Sequence, residues 1–149
     1  QKPTEKLLPY AKQNNIGLIA RVPLDEGGLG GEITLDTKFE EGDFRKNYFA
    51  GERLIELVKR VDSLKGLLGE EAKSIAELAL RYILSFDEVS TVIPGMRKVK
   101  RVEANMAVSD RKKLSDKLME QLKEHVWERN FYEGPDPAME STGYVEIYI

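Results

Sequence analysis

Cysteine is absent from the 149-residue chain, and histidine occurs once, at position 125. No disulfide framework, thiolate metal site or cysteine nucleophile can be built from it. The absence fits a reducing compartment, and the cytoplasm is the expected location. Long apolar runs are missing as well: none approaches the ~18 residues that a spanning helix needs, so no membrane partner is expected. Charge of one sign is not in excess either. The 23 Lys and Arg against 26 Asp and Glu leave a formal net charge of -3, which argues against a nucleic-acid partner held by global attraction. No Walker loop, Gly-x-Ser-x-Gly elbow, zinc signature or internal repeat occurs, and no metal site is expected. Gln1 stands where an initiator methionine is usual and no leader-like segment follows it, so the chain is expected to begin inside a longer product.

What is present is ordinary domain material, 41% apolar and 33% charged, at a length that suits one compact unit. Leu7, Leu8 and Ala11 predict a short helix between Thr4 and Asn15, with Pro9 limiting its extent. Ile16 to Ala20 is a continuous apolar run ended by Val22-Pro23, which predicts a strand buried on both faces. Four glycines crowd Asp25 to Gly31 and predict a loop able to approach a ligand closely, or a plain connector. Glu40 to Tyr48 is expected to be irregular. Leu54, Leu57, Val58, Val61 and Leu64 predict a helix over 52–64. Ser74-Ile75-Ala76-Glu77 is a capping box that opens the next helix, with Glu77 reaching back to the cap residue. Val89 to Ile93 predicts a second buried strand stopped by Pro94-Gly95. Strand, helical connection and strand together are the βαβ pattern of a parallel sheet. Lys98 to Val108 is expected to be helical with Val99, Val102 and Met106 inward, and a last helix is expected over 111–124. Residues 133–149 have linker character and end in an exposed strand candidate, Tyr144 to Ile149.

The strongest chemical feature is Ile93 to Asn105. A strand ends at Pro94-Gly95 and a helix opens among cations, which gathers free amides, the positive helix end and Arg97, Lys98, Lys100 and Arg101. Arg97 or Arg101 suits a phosphomonoester such as the 2′-phosphate of NADP, because the guanidinium fork matches phosphate oxygens. Asn105 can donate and accept at an adenine edge. The competing reading of the same run is a solvated basic helix face. His125 reads as a helix-end residue, and Asp25-Glu26 as surface charge. The residues by themselves reach an α/β unit with a phosphate-binding strand end and no catalytic group.

These segments resemble the aldo-keto reductases, specifically their C-terminal half. Ile16 to Leu24, followed by Gly27, Leu29 and Gly31, is similar to the seventh barrel strand and the pyrophosphate loop after it. Ser74 to Leu84, Val89 to Gly95 and Arg97 to Asn105 are similar to the helix before the last strand, the eighth strand and the cofactor helix. Leu114 to Tyr132 resembles the closing helix and tail. The resemblance spans Thr4 to Tyr132 and implies that residues 1–132 are the C-terminal portion of a (β/α)8 barrel, with two parallel strands and flanking helices.

It further implies an oxidoreductase that reduces aldehydes or ketones with NADP(H), a nicotinamide dinucleotide and a small carbonyl compound being its partners. By position, Leu24, Gly27 and Leu29 lie along the pyrophosphate. Gly95, Met96, Arg97 and Arg101 surround the adenosine ribose and its phosphate, Asn105 meets the adenine, and Arg21 takes the place of a nicotinamide-stacking ring. The family's aspartate, tyrosine, lysine and histidine tetrad comes from earlier strands. No residue here matches it, Tyr48, Tyr82 and His125 included, so the isolated chain is expected not to complete hydride transfer. Uncovered strand edges imply self-association or pairing with an N-terminal half. The alternative function is a non-catalytic relative that serves as an oligomerisation or protein-interaction module.

Overall fold

The structure, a computed structural model, describes residues 2–127; the expected linker and terminal strand lie outside the described residues. Its α-helices are α1 (Leu7–Gln13), α2 (Arg45–Tyr48), α3 (Glu52–Lys65), α4 (Ile75–Leu84), α5 (Val99–Ala107) and α6 (Asp116–Lys123). Its strands are β1 (Leu18–Arg21) and β2 (Val89–Ile93).

Pro9 does not cut α1. It lies in the first turn, where an amide has no intrahelical acceptor, and the first helical bond is donated by the next amide, Tyr10 N to Lys6 O at 3.1 Å. The two strands pair in parallel, as the βαβ pattern predicts, with Leu18 opposite Val89 and Arg21 opposite Ile93. A bulge falls after the Leu18 pair. Ser90 is the extra residue, and its Oγ accepts the Leu18 amide at 3.1 Å. Gly17 makes room for that hydroxyl, since a Cβ there would lie 3.2 Å from it.

Neither strand is buried on both faces. One face carries Ala20 and Val89 into the core, while Ile19 is 65% and Ile93 56% exposed. The apolar runs were legible as strands, but burial depends on whether helices or further strands cover each side, and here α1 and α4 cover one. The cluster on that side joins Leu8, Ala20, Ile83 and Val89.

Among the described residues, helix α4 enters each of three core clusters. Ile75 packs with Tyr48, Phe49, Leu57 and Val61, Leu78 packs with Leu114, Leu118 and Leu122, and Ile83 meets the sheet. Its start follows the capping box in one arm only. Ser74 Oγ accepts the Glu77 amide at 3.1 Å, but the Glu77 carboxylate takes the Lys73 amide at 2.9 Å instead of that of Ser74. Arg81 is also buried on this helix, bonded to Glu77, to both oxygens of Asp110 and to the Lys112 carbonyl.

Three further expectations change. The 40–48 stretch holds a helical turn, α2, opened where the Asp43 carboxylate accepts the Arg45 amide at 3.0 Å. Helix α5 turns Val99 (75% exposed) and Met106 outward and buries Asn105. The last helix begins at Asp116, with Ser115 as its cap, and Leu114 reaches the core from the extended segment before it.

Candidate nucleotide site at the strand ends

Both candidate segments stand at the carboxyl ends of the paired strands. After β1, the backbone takes positive φ at Val22 (52°), Asp25 (50°), Glu26 (53°) and Gly27 (100°). Gly27 adopts this at no steric cost, whereas the other three hold it against Cβ strain. The result is a pair of tight 3-10 turns over Asp25–Gly30, wound more closely than the open loop expected. The Leu24 carbonyl accepts the amides of Gly27 and Leu29 at 2.9 and 3.0 Å. The Leu29 side chain turns inward against the Leu57 cluster.

Asp25 is not plain surface charge. It is half-buried, and its Oδ1 accepts the hydroxyl of buried Tyr48 at 2.7 Å. Gly28, which the sequence does not single out from its neighbours, is buried; a Cβ there would lie 2.6 Å from Asp25 Oδ2 and 3.0 Å from Leu57 Cδ1. A run of four glycines carries no signal for which one is packed, and an aromatic within a charged stretch carries none for its partner.

After β2, residues 94–98 lead to α5. Its N-cap, Lys98, is extended and no side chain among the described residues caps the helix, so the first amides gain no acceptor there from a cap. Arg97, Lys98, Lys100 and Arg101 are all exposed around that end, a setting that favours an anion. Among the described residues, nothing lies within 4 Å of where a Cβ would stand on Gly95 or Gly30. Met96 is exposed. Asn105 Nδ2 donates to the Gly95 carbonyl at 3.2 Å and so fixes the turn between strand and helix. Arg101 Nη2 donates to Glu32 Oε2 at 2.7 Å. That bond ties α5 to the residue directly after the glycine turn, across 69 positions of sequence. Arg21 lies on the uncovered face at the end of β1, opposite Ile93.

The remaining candidate groups lie on the core side of the glycine turn. Burial pushes the Tyr82 phenol up to about 12, and its ring packs edge-on against Phe86 at 5.3 Å. His125 is half-buried just beyond α6, its amide bonded to the Leu122 carbonyl at 3.1 Å. Together with Asp25, Leu29, Leu57, Tyr82 and Trp127 it lines a cavity of about 200 Å³ between the glycine turn, α3, α4 and the end of α6. No described helix is long and apolar enough to cross a membrane.

Comparison with known proteins agrees with this arrangement. The Aldo/keto reductase family profile matches residues 1–126. An aldo-keto reductase of Bacillus subtilis, YhdN, is 34% identical over 103 residues, which are 67% of this chain and 31% of that one. The Schizosaccharomyces pombe protein yakc, described as an NADP(+) aldo-keto reductase, is 24% identical over 132 residues, 83% of this chain and 37% of that one. The chain therefore spans about a third of the length of these relatives. Among solved structures, a glycerol dehydrogenase from Gluconobacter oxydans superposes with a TM-score of 0.74 at 24% identity, over 92% of this chain and 42% of that one. The fold is thus part of a (β/α)8 barrel, with two parallel strands and their helices. By the match over residues 1–126, the chain belongs to the aldo/keto reductase family.

Proposed function

We propose that this chain supplies the NADP(H)-binding part of an enzyme that reduces aldehydes or ketones. The observation that carries the reading is the meeting of two segments at neighbouring strand ends: the tight glycine turn after β1, and the uncapped, cation-ringed start of α5 after β2. The donor set fits a phosphorylated dinucleotide, with guanidinium and ammonium groups for the 2′-phosphate and open space beside Gly30 and Gly95 for close backbone approach.

On this reading Arg97 and Arg101 hold the 2′-phosphate, with Gly95 and Met96 beside the ribose. Asn105 has its second amide hydrogen and its carbonyl for the adenine. Leu24, Gly27 and Leu29 flank the diphosphate, and Arg21 the nicotinamide. When bound, the nicotinamide supplies or accepts hydride; the tetrad that moves the proton is assigned to strands outside these residues. Arg101 must exchange the Glu32 carboxylate for phosphate, an affordable step for an exposed pair.

The test is calorimetric titration of NADP+ onto the chain and onto the Arg97→Ala/Arg101→Ala variant. A loss of about tenfold or more in affinity in the variant is expected, since two charge-assisted contacts are removed. Equal heats in both would sink the assignment. The exposed apolar face bearing Ile19 and Ile93 favours a second, compatible reading, in which the chain assembles with other barrel strands or with a copy of itself.

A further inference from the structure

The glycine turn poses an electrostatic problem. It is flanked by two carboxylates, Asp25 and Glu26, whose left-handed backbone (φ 50° and 53°) is one that side chains bearing a Cβ adopt at a cost and keep only when neighbouring structure holds them there. The Arg45 guanidinium answers the second of them, its Nη1 lying 3.8 Å from where a Cβ on Gly27 would stand and its charge coupled to Glu26, so the charge left for an approaching diphosphate to meet is that of Asp25, at the turn where the dinucleotide reading places it.

The structure holds the first of these carboxylates in a specific orientation. Asp25 is folded back across buried Gly28, with Oδ2 2.6 Å from where a Cβ on that glycine would stand, beside Phe49 and Leu57. Its Oδ1 accepts from Tyr48 Oη at 2.7 Å. Tyr48 is itself fixed: it is 7% exposed and its ring packs edge-on against Phe49 with centroids 4.8 Å apart. Phe49 stacks on Phe39 in turn. The hydroxyl is thus presented to Asp25 from a rigid aromatic shelf.

We propose that Tyr48 is a positioning residue for the nucleotide site: its hydroxyl draws the Asp25 carboxylate onto the core side of the glycine turn and away from an incoming diphosphate. The inference rests on the dinucleotide reading above. Removing the hydroxyl releases a negative charge beside the phosphates, and removing that charge as well cancels the effect. A merely structural role predicts no such rescue.

The experiment titrates NADP+ onto the 149-residue chain and its Tyr48→Phe, Asp25→Asn and Tyr48→Phe/Asp25→Asn variants, at low and high salt, with a thermal melt of each. Phenylalanine keeps the ring and therefore the shelf. Tyr48→Phe is expected to weaken binding about tenfold at low salt, as a unit charge near a phosphate at partly screened distance requires. The loss should shrink as salt is added. The double variant is expected to return to within about twofold of wild type, even where its melting temperature stays low. Amide exchange at Gly27 and Leu29, measured without nucleotide, should quicken in Tyr48→Phe.

Wild-type affinity in Tyr48→Phe would overturn the proposal and leave the nucleotide site standing. Equal loss in the single and double variants would also overturn it, assigning Tyr48 to folding alone. Absence of binding by every chain, wild type included, would overturn the nucleotide reading and this inference with it.

Discussion

At the scale of single residues, the positions that shape the site are those whose small size or orientation is fixed by a neighbour. Gly28 is the sharpest case. A methyl group there meets Asp25 Oδ2, Leu57 Cδ1 and Phe49 Cζ at 2.6, 3.0 and 3.3 Å, so Gly28→Ala is expected to cost about 1–3 kcal/mol, the usual range for overpacking a filled core. Urea unfolding of the two proteins measures this, and an unchanged midpoint would show that the turn can move aside. Sequence patterning finds Arg97 and Arg101 because cations beside a strand end have a chemical meaning of their own. It does not find Glu32, Tyr48 or Gly28, whose roles exist only once segments far apart in sequence have met. Asn105 was legible as a polar residue of interest, but its burial against the Gly95 carbonyl was not, because Val99 and Met106 on the same helix made a plausible inward stripe.

Helix α4 sets the behaviour of the elements. Its boundaries were readable from the Ser74 cap and the apolar spacing, since both are local properties. Its buried arginine was not, because the acceptor Asp110 comes from beyond the next strand and helix. The Arg81 guanidinium, followed by the Lys112 amide, holds Asp110 well below the usual carboxylate range. Burial pushes Glu77 upward, but the Lys73 amide and Arg81 outweigh it and hold it low as well. Both carboxyls therefore bind protons less readily folded than unfolded. The stability they add is full above their unfolded values near 4 and is lost progressively as pH falls from there through their lowered folded values. Thermal melts are expected to show a melting temperature that declines below about pH 5. Asp110→Asn should lower it at neutral pH and flatten the acid decline; an identical slope in the variant would remove Asp110 from the account.

For the whole molecule, the sheet is the informative part. Two parallel strands were legible from two short apolar runs, but their one-sided burial was not, because nothing within such a run tells how many neighbours the sheet has. The uncovered face, with Ile19 and Ile93 more than half exposed, is expected to drive association. Light scattering should find species larger than the monomer, and Ile19→Lys with Ile93→Lys should return them to monomer with little loss of stability, since both side chains are already exposed. A wild-type chain that scatters as a monomer would dismiss the face as an assembly surface. The bulge at Ser90 has a different consequence, for the tolerance of the chain to changes in length. Because it absorbs one residue near the start of β2, a relative lacking that residue could straighten the strand and still keep the Ile93 end paired with Arg21. Insertions and deletions arising at this point of the strand are thereby uncoupled from the spacing of the two turns at the strand ends, which can stay constant while the start of the strand drifts.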